Sequence, residues 1–104
     1  MTTQAQFEMQ AEFYKALAHP LRVQVLEILR EKELCFSDIL QITGGLKSNL
    51  SQHLTVMCKS GILSMRRSGQ CNYYRISKTK ILKADKLFRE VLREQIEFQQ
   101  GFFA

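Results

Sequence analysis

The sequence predicts a mainly α-helical domain with one small β-hairpin, in the order four helices, two strands and a closing helix. Three observations carry this. Lys47–Ser60 places Leu50, Leu54 and Met57 at i, i+4 and i+7, one apolar stripe of a helix, with Ser48, Asn49, Ser51, Gln52 and Thr55 on its other faces. Ile62–Arg67 and Cys71–Ile76 follow at once, two short β-branched and aromatic runs around Ser68-Gly69-Gln70, the pattern of a hairpin. Lys78–Gln99 then carries Ile81, Leu82, Leu87, Phe88, Val91, Leu92 and Ile96 along one broad side of a long helix. A short polar-fronted helix followed by a hairpin with an apolar base and a basic tip is a winged helix-turn-helix. Its helix is sized for the DNA major groove, and its wing reaches phosphate or the minor groove.

The remaining elements support that arrangement. Phe7–Leu17 has a wide apolar face through Phe7, Ala11, Tyr14 and Leu17. Pro20 suits the first position of a second helix, Leu21–Lys32, with His19 in the N-cap place. Glu33–Phe36 reads as an extended link, and Ser37 as the N-cap of a third helix, Asp38–Thr43, with Asp38 favourable in its first turn. Gly44-Gly45 makes the turn into the fourth helix, and Gly61 ends it.

All 104 residues fit one domain, and 45% hydrophobic with 24% charged residues exclude wholesale disorder. Within residues 1–104 the helix-turn-helix is expected at 37–60, the wing at 62–76, and dimerisation helices at 1–18 and 78–100. The first and last helices are too apolar to be covered by so small a core, so a homodimer is expected through them. The closing Gly101-Phe102-Phe103-Ala104 is read as packing on that interface or fraying. There is no apolar run of membrane-spanning length and no signal-peptide pattern, so a cytoplasmic protein with no membrane partner is expected.

Charge placement narrows the function. The net charge is +5, yet no Asp or Glu lies between Ile39 and Ala84, an interval that holds Lys47, Lys59, Arg66, Arg67, Arg75, Lys78, Lys80 and Lys83. A positive field over the polar-fronted helix and the wing suits a polyanion. Asn and Gln pair with adenine edges, Ser and Thr with bases or phosphates, and Lys47 leads the helix where phosphate would lie. The same face also admits a protein-interaction module with an acidic partner. No nucleophile–base pair, acid pair or phosphate-cradling glycine loop stands out, so an enzyme is not expected.

The stretches Leu17-Ala18-His19-Pro20-Leu21-Arg22, Glu33-Leu34-Cys35, Ser51-Gln52-His53-Leu54, Gly61-Ile62-Leu63, and Arg66-Arg67 with Tyr73-Tyr74-Arg75-Ile76 resemble the arsenic-repressor (ArsR/SmtB) family of bacterial winged-helix regulators over nearly the whole chain. The resemblance implies a homodimeric repressor that binds an inverted-repeat double-stranded DNA operator and leaves it when an inducer, of unknown identity, alters the dimer. A DNA binder without any sensing step remains open beside this. Carried over by position, Ser48, Asn49, Ser51, Gln52 and His53 would face DNA from the helix, and Arg66, Arg67 and Gln70 from the wing. Leu46 departs from the capping Ser that the family often has.

The family's sensing sites do not transfer. ELCFSDI keeps Cys35 but has Ser37 where metalloid sensors have a second cysteine, and Lys78 and Lys80 stand where zinc-type members have ligands. One thiolate with distant neutral groups is a poor soft-metal site, so neither a metal nor a cofactor is expected. Cys35, Cys58 and Cys71 show no CxxC spacing, and small buried side chains are the ordinary role of free cysteines. Against that, Cys71 lies in a basic neighbourhood that would favour a thiolate. Sensing of an oxidant, a reactive sulfur species or a metalloid by one or more of the three is the alternative reading beside that ordinary role.

Overall fold

In a computed structural model the backbone is described for residues 2–103 and the side chains for residues 2–100. The side chains of the closing tail lie outside the described residues. The helices are α1 (Thr3–Leu17), α2 (Pro20–Ile28), α3 (Phe36–Thr43), α4 (Lys47–Lys59) and α5 (Lys80–Phe103), and the strands are β1 (Leu34–Cys35), β2 (Leu63–Ser68) and β3 (Cys71–Ile76). The expected order therefore holds, with one strand added.

That strand is the stretch read as an extended link. Leu34 and Cys35 pair antiparallel with Tyr74 and Tyr73, giving a three-stranded sheet in the order β1-β3-β2. The pairing also moves the start of α3. The chain enters the helix directly from the last paired residue, so Cys35 occupies the N-cap place, not Ser37, and its side chain makes no capping hydrogen bond. Asp38 does lie in the first turn of α3, opposite the helix dipole.

Helix starts elsewhere follow local chemistry. His19 caps α2 through Nδ1, which accepts the Leu21 N–H at 3.1 Å, and Pro20 is the first helical residue. The hairpin turn is two residues long. Gly69, first of the two turn residues, has φ of 61°, the left-handed conformation that favours glycine in a tight hairpin. Gly61 just past α4 has φ of 82°, the left-handed stop expected there.

The core lies where α2, α3 and α4 meet the inner face of the sheet. Val25, Ile39, Leu54, Met57 and Ile62 are fully buried, and Leu63, Tyr74 and Ile76 close it from the strands. Ser77 fastens the base of the hairpin to the end of α4. Its hydroxyl donates to the Gly61 carbonyl at 2.6 Å, and its N–H to the Ile62 carbonyl at 2.9 Å.

α5 leaves this core after its first turns. Ile81 and Leu82 pack on it, whereas Leu87, Phe88, Val91, Leu92 and Ile96 stand open to solvent. Phe7, Met9 and Tyr14 of α1 are also exposed, and a groove of about 720 Å³ runs between α1, α2 and α5, lined by Phe13, Leu17, Val23, Phe88 and Leu92 among others. The root of α5 is tied by charge to the end of α2: Arg89, itself paired with Asp85, reaches Glu27, and Arg30 just past α2 lies 3.9 Å from Asp85.

Candidate nucleic-acid interface

α4 is anchored on one side and open on the other. Leu50, His53, Leu54 and Met57 are buried, and Lys47, Ser48, Asn49, Ser51, Gln52 and Thr55 are exposed. No acidic residue lies in its first turn. Leu46, its N-cap residue, supplies no side-chain acceptor, so the leading N–H groups are left for an outside anion. The Thr55 hydroxyl donates back to the Ser51 carbonyl at 2.8 Å, which leaves its oxygen lone pairs to face outward.

His53, expected from the resemblance to face DNA, is turned largely into the core and only edges the recess beside Ser51, Gln52 and Thr55. It is only 8% exposed, and its Nδ1 accepts a hydrogen bond from Arg22 Nε at 3.0 Å. Its ring packs 4.1 Å from that of His19. Burial, with His19 and Arg22 alongside, holds its pKa below the usual imidazole range, so the ring is a neutral anchor. The reason is positional: 53 is three residues after 50 and four before 57, which puts it on the apolar stripe. Arg22 was not singled out by the sequence reading. Besides His53 it reaches the Lys15 and Ala16 carbonyls at 3.2 and 3.4 Å, and it lines a shallow recess with Ser51, Gln52 and Thr55.

The hairpin arginines differ from each other. Arg67 is exposed and donates to Asn72 Oδ1 at 3.0 Å, with Gln70 exposed beside it at the tip. Arg66 is held by a carboxylate. Its Nε lies 3.0 Å from both oxygens of Glu33, its Nη2 2.6 Å from Oε1, and its guanidinium carbon 4.7 Å from the centre of the Tyr73 ring. The Arg66 hydrogen bonds hold the Glu33 carboxyl below its ordinary pKa, and the carboxylate raises that of Arg66 in return. The basic interval is free of acids along the chain, but β1 brings one to it in space.

The cysteines are spread over three environments. Cys35 is buried, with Sγ 3.2 Å from Ser37 Oγ and 3.1 Å from Asp38 Oδ2. Cys58 is half-buried, and burial pushes its thiol pKa up, away from the reactive thiolate. Cys71 is exposed on the hairpin. One thiol beside a hydroxyl and a carboxylate does not fit a soft metal, and no group of three His, Cys, Asp or Glu side chains with metal-binding geometry occurs among the described residues. No helix among them is long and apolar enough to cross a membrane.

Residues 19–64 match the profile of the bacterial regulatory protein, arsR family. Over 93 residues, 88% of this chain and 82% of the relative, the sequence is 37% identical to the HTH-type transcriptional regulator Rv0081 of Mycobacterium tuberculosis. The chain belongs to the arsR family. It is accordingly a transcriptional regulator and not an enzyme. This arsR-family chain is also 34% identical to the transcriptional repressor PagR of Bacillus anthracis, over 78% of its own length and 82% of that protein.

Solved structures agree on the fold. The crystal structure of Rv0081 matches with a TM-score of 0.82 at 34% identity, covering 90% of this chain and 95% of that one. The homodimeric winged helix-turn-helix DNA-binding domain of Mb0332 from Mycobacterium bovis, determined in solution, gives 0.81 at 28% identity and covers 94% and 93% of the two chains. The arsR-family fold here is thus a winged helix-turn-helix, mainly helical with a small antiparallel sheet.

Proposed function

We propose that the chain is a sequence-specific, DNA-binding transcriptional repressor that works as a homodimer. Residues 37–60 form the helix-turn-helix, 62–76 the wing, and 1–18 with 78–100 the dimer helices. The observation that carries the reading is the split of α4, with a fully seated apolar side and an outer side of Lys47, Ser48, Asn49, Ser51, Gln52 and Thr55 that holds no carboxylate. Such a face can bond base edges and phosphates without repelling either. Arg67 and Gln70 extend it from the wing. The exposed apolar sides of α1 and α5 supply the second interface, and an isologous pairing would present two α4 helices to two half-sites about 34–36 Å apart. The repressor named among the relatives and the homodimeric DNA-binding domain among the structures support the same reading.

The test begins with a duplex selected from a random pool by the wild-type protein. Gln52→Ala is expected to lose about 1–3 kcal/mol on the selected duplex and little on a scrambled one, if Gln52 reads a base in two-point fashion. Arg67→Ala is expected to weaken both duplexes alike and to flatten the salt dependence by about 0.9 per phosphate lost. Equal losses on both duplexes for both variants would remove Gln52 as a base reader.

Release by an inducer through a thiol belongs to this reading, and access orders the three candidates. Cys71 is open, Cys58 is half-buried with a disfavoured thiolate, and Cys35 is enclosed. Oxidant, persulfide or arsenite is expected to free the duplex from wild type but not from a variant lacking all three cysteines. Equal release from both would end the thiol assignment.

A further inference from the structure

Strand register explains how a distant acid reaches the wing. Cys35 pairs with Tyr73 and Leu34 with Tyr74, so the next step of the ladder sets Glu33 beside Arg75, while Arg66 pairs with Tyr73 from the other side. Side chains alternate along a strand, and Leu63, Tyr74 and Ile76 are buried on the inner face. Glu33, Arg66, Tyr73 and Arg75 therefore share the outer face. Arg66 lies across the Tyr73 ring and closes on Glu33 through Nε and Nη2, a two-point geometry that also suits phosphate.

We infer that Glu33 withholds Arg66 from DNA phosphate, and so limits how many phosphates each wing neutralises. This rests on the DNA-binding reading. Sequence-independent affinity grows with the number of phosphates a protein neutralises, because each releases condensed counterions. An arginine already paired with a carboxylate releases none. A phosphate approaching Arg66 must also come close to Glu33 and meet its negative charge. Arg67, one residue on, points to the opposite face of the strand and bonds Asn72, and Arg75 is exposed beside Glu33, so among the described residues Arg66 is the hairpin arginine closed in an ion pair. The device lowers affinity for every duplex alike and leaves base reading by α4 untouched.

The experiment compares wild type, Glu33→Gln, Arg66→Ala, Arg67→Ala and the Glu33→Gln/Arg66→Ala pair, as full chains, on the pool-selected duplex and on a scrambled duplex across a salt series. E33Q is expected to tighten binding to both duplexes and to steepen the log–log salt slope by about 0.9 per subunit. R66A alone is expected to leave the slope near wild type, and E33Q to add nothing in the R66A background. An unchanged or flatter slope for E33Q overturns the inference, as does an R66A slope flattened as much as that of R67A. R66A reads the same quantity independently, so loss of folding in E33Q leaves the inference testable. Failure of wild type to retain any selected duplex would sink the DNA-binding reading itself, whereas retention with an unmoved E33Q slope sinks only the role of Glu33.

Discussion

The start of α4 is a place where the sequence falls short of what the backbone could use. Leu46 holds the N-cap position with φ of −91° and ψ of 140°, the extended geometry from which a serine oxygen reaches the second or third helical N–H, here those of Ser48 and Asn49. Its own side chain accepts nothing and is 73% exposed. Replacing a poor cap by serine is worth about 1 kcal/mol. Full burial of a leucine is worth about 1.5–3 kcal/mol, so the quarter of Leu46 that is covered is worth about 0.5 kcal/mol. Leu46→Ser should therefore gain about 0.5 kcal/mol over wild type, and about 1 kcal/mol over Leu46→Ala, which loses the contact without adding a cap. For a domain of this length that is about 4 °C between the two variants. Urea unfolding followed by circular dichroism is the assay, with midpoints compared at an unchanged slope. Identical midpoints for L46S and L46A would refute the reasoning, because only the cap distinguishes them.

Two further outcomes are expected. Because the folded pKa of His53 is depressed, the unfolded chain takes up this proton first as pH falls. His53 then contributes stability above the ordinary imidazole range and loses it progressively below about pH 6.5, with a separate, more acidic loss as Glu33 is protonated. The urea midpoint of wild type should fall between pH 7.5 and 5.5 by more than that of His53→Gln, and equal falls would contradict the buried neutral ring. Leu92→Glu places a charge on the open face of α5 without touching the core, and should halve the sedimenting mass while the circular dichroism spectrum is kept; an unchanged mass would move the dimer contact elsewhere.

What the sequence made legible was local. The stripe of Leu50, Leu54 and Met57, the Pro20 start, the Gly61 stop and the Gly69 turn all depend on neighbours within a few residues, and each appears where expected. β1 could not be read this way. It is two residues long, and its partners Tyr73 and Tyr74 lie far along the chain, so nothing near Leu34 announces the pairing. The same pairing brings Glu33 to Arg66, a contact that charges counted by position along the chain do not show. His53 is a different failure. Its spacing from Leu50 and Met57 places it on the inward stripe, whereas an imidazole by its chemistry suits a polar face as well.

Arg22 carries one more implication. A single guanidinium grips two carbonyls at the end of α1 and the imidazole that seats α4. Slippage of α1 that pulls this group away strands a nitrogen acceptor in an apolar setting, a penalty of about 1–3 kcal/mol. The tilt of α1 and the seating of α4 are thereby geared to one another, through this guanidinium as well as through the apolar packing of Phe13, Ala16 and Leu17.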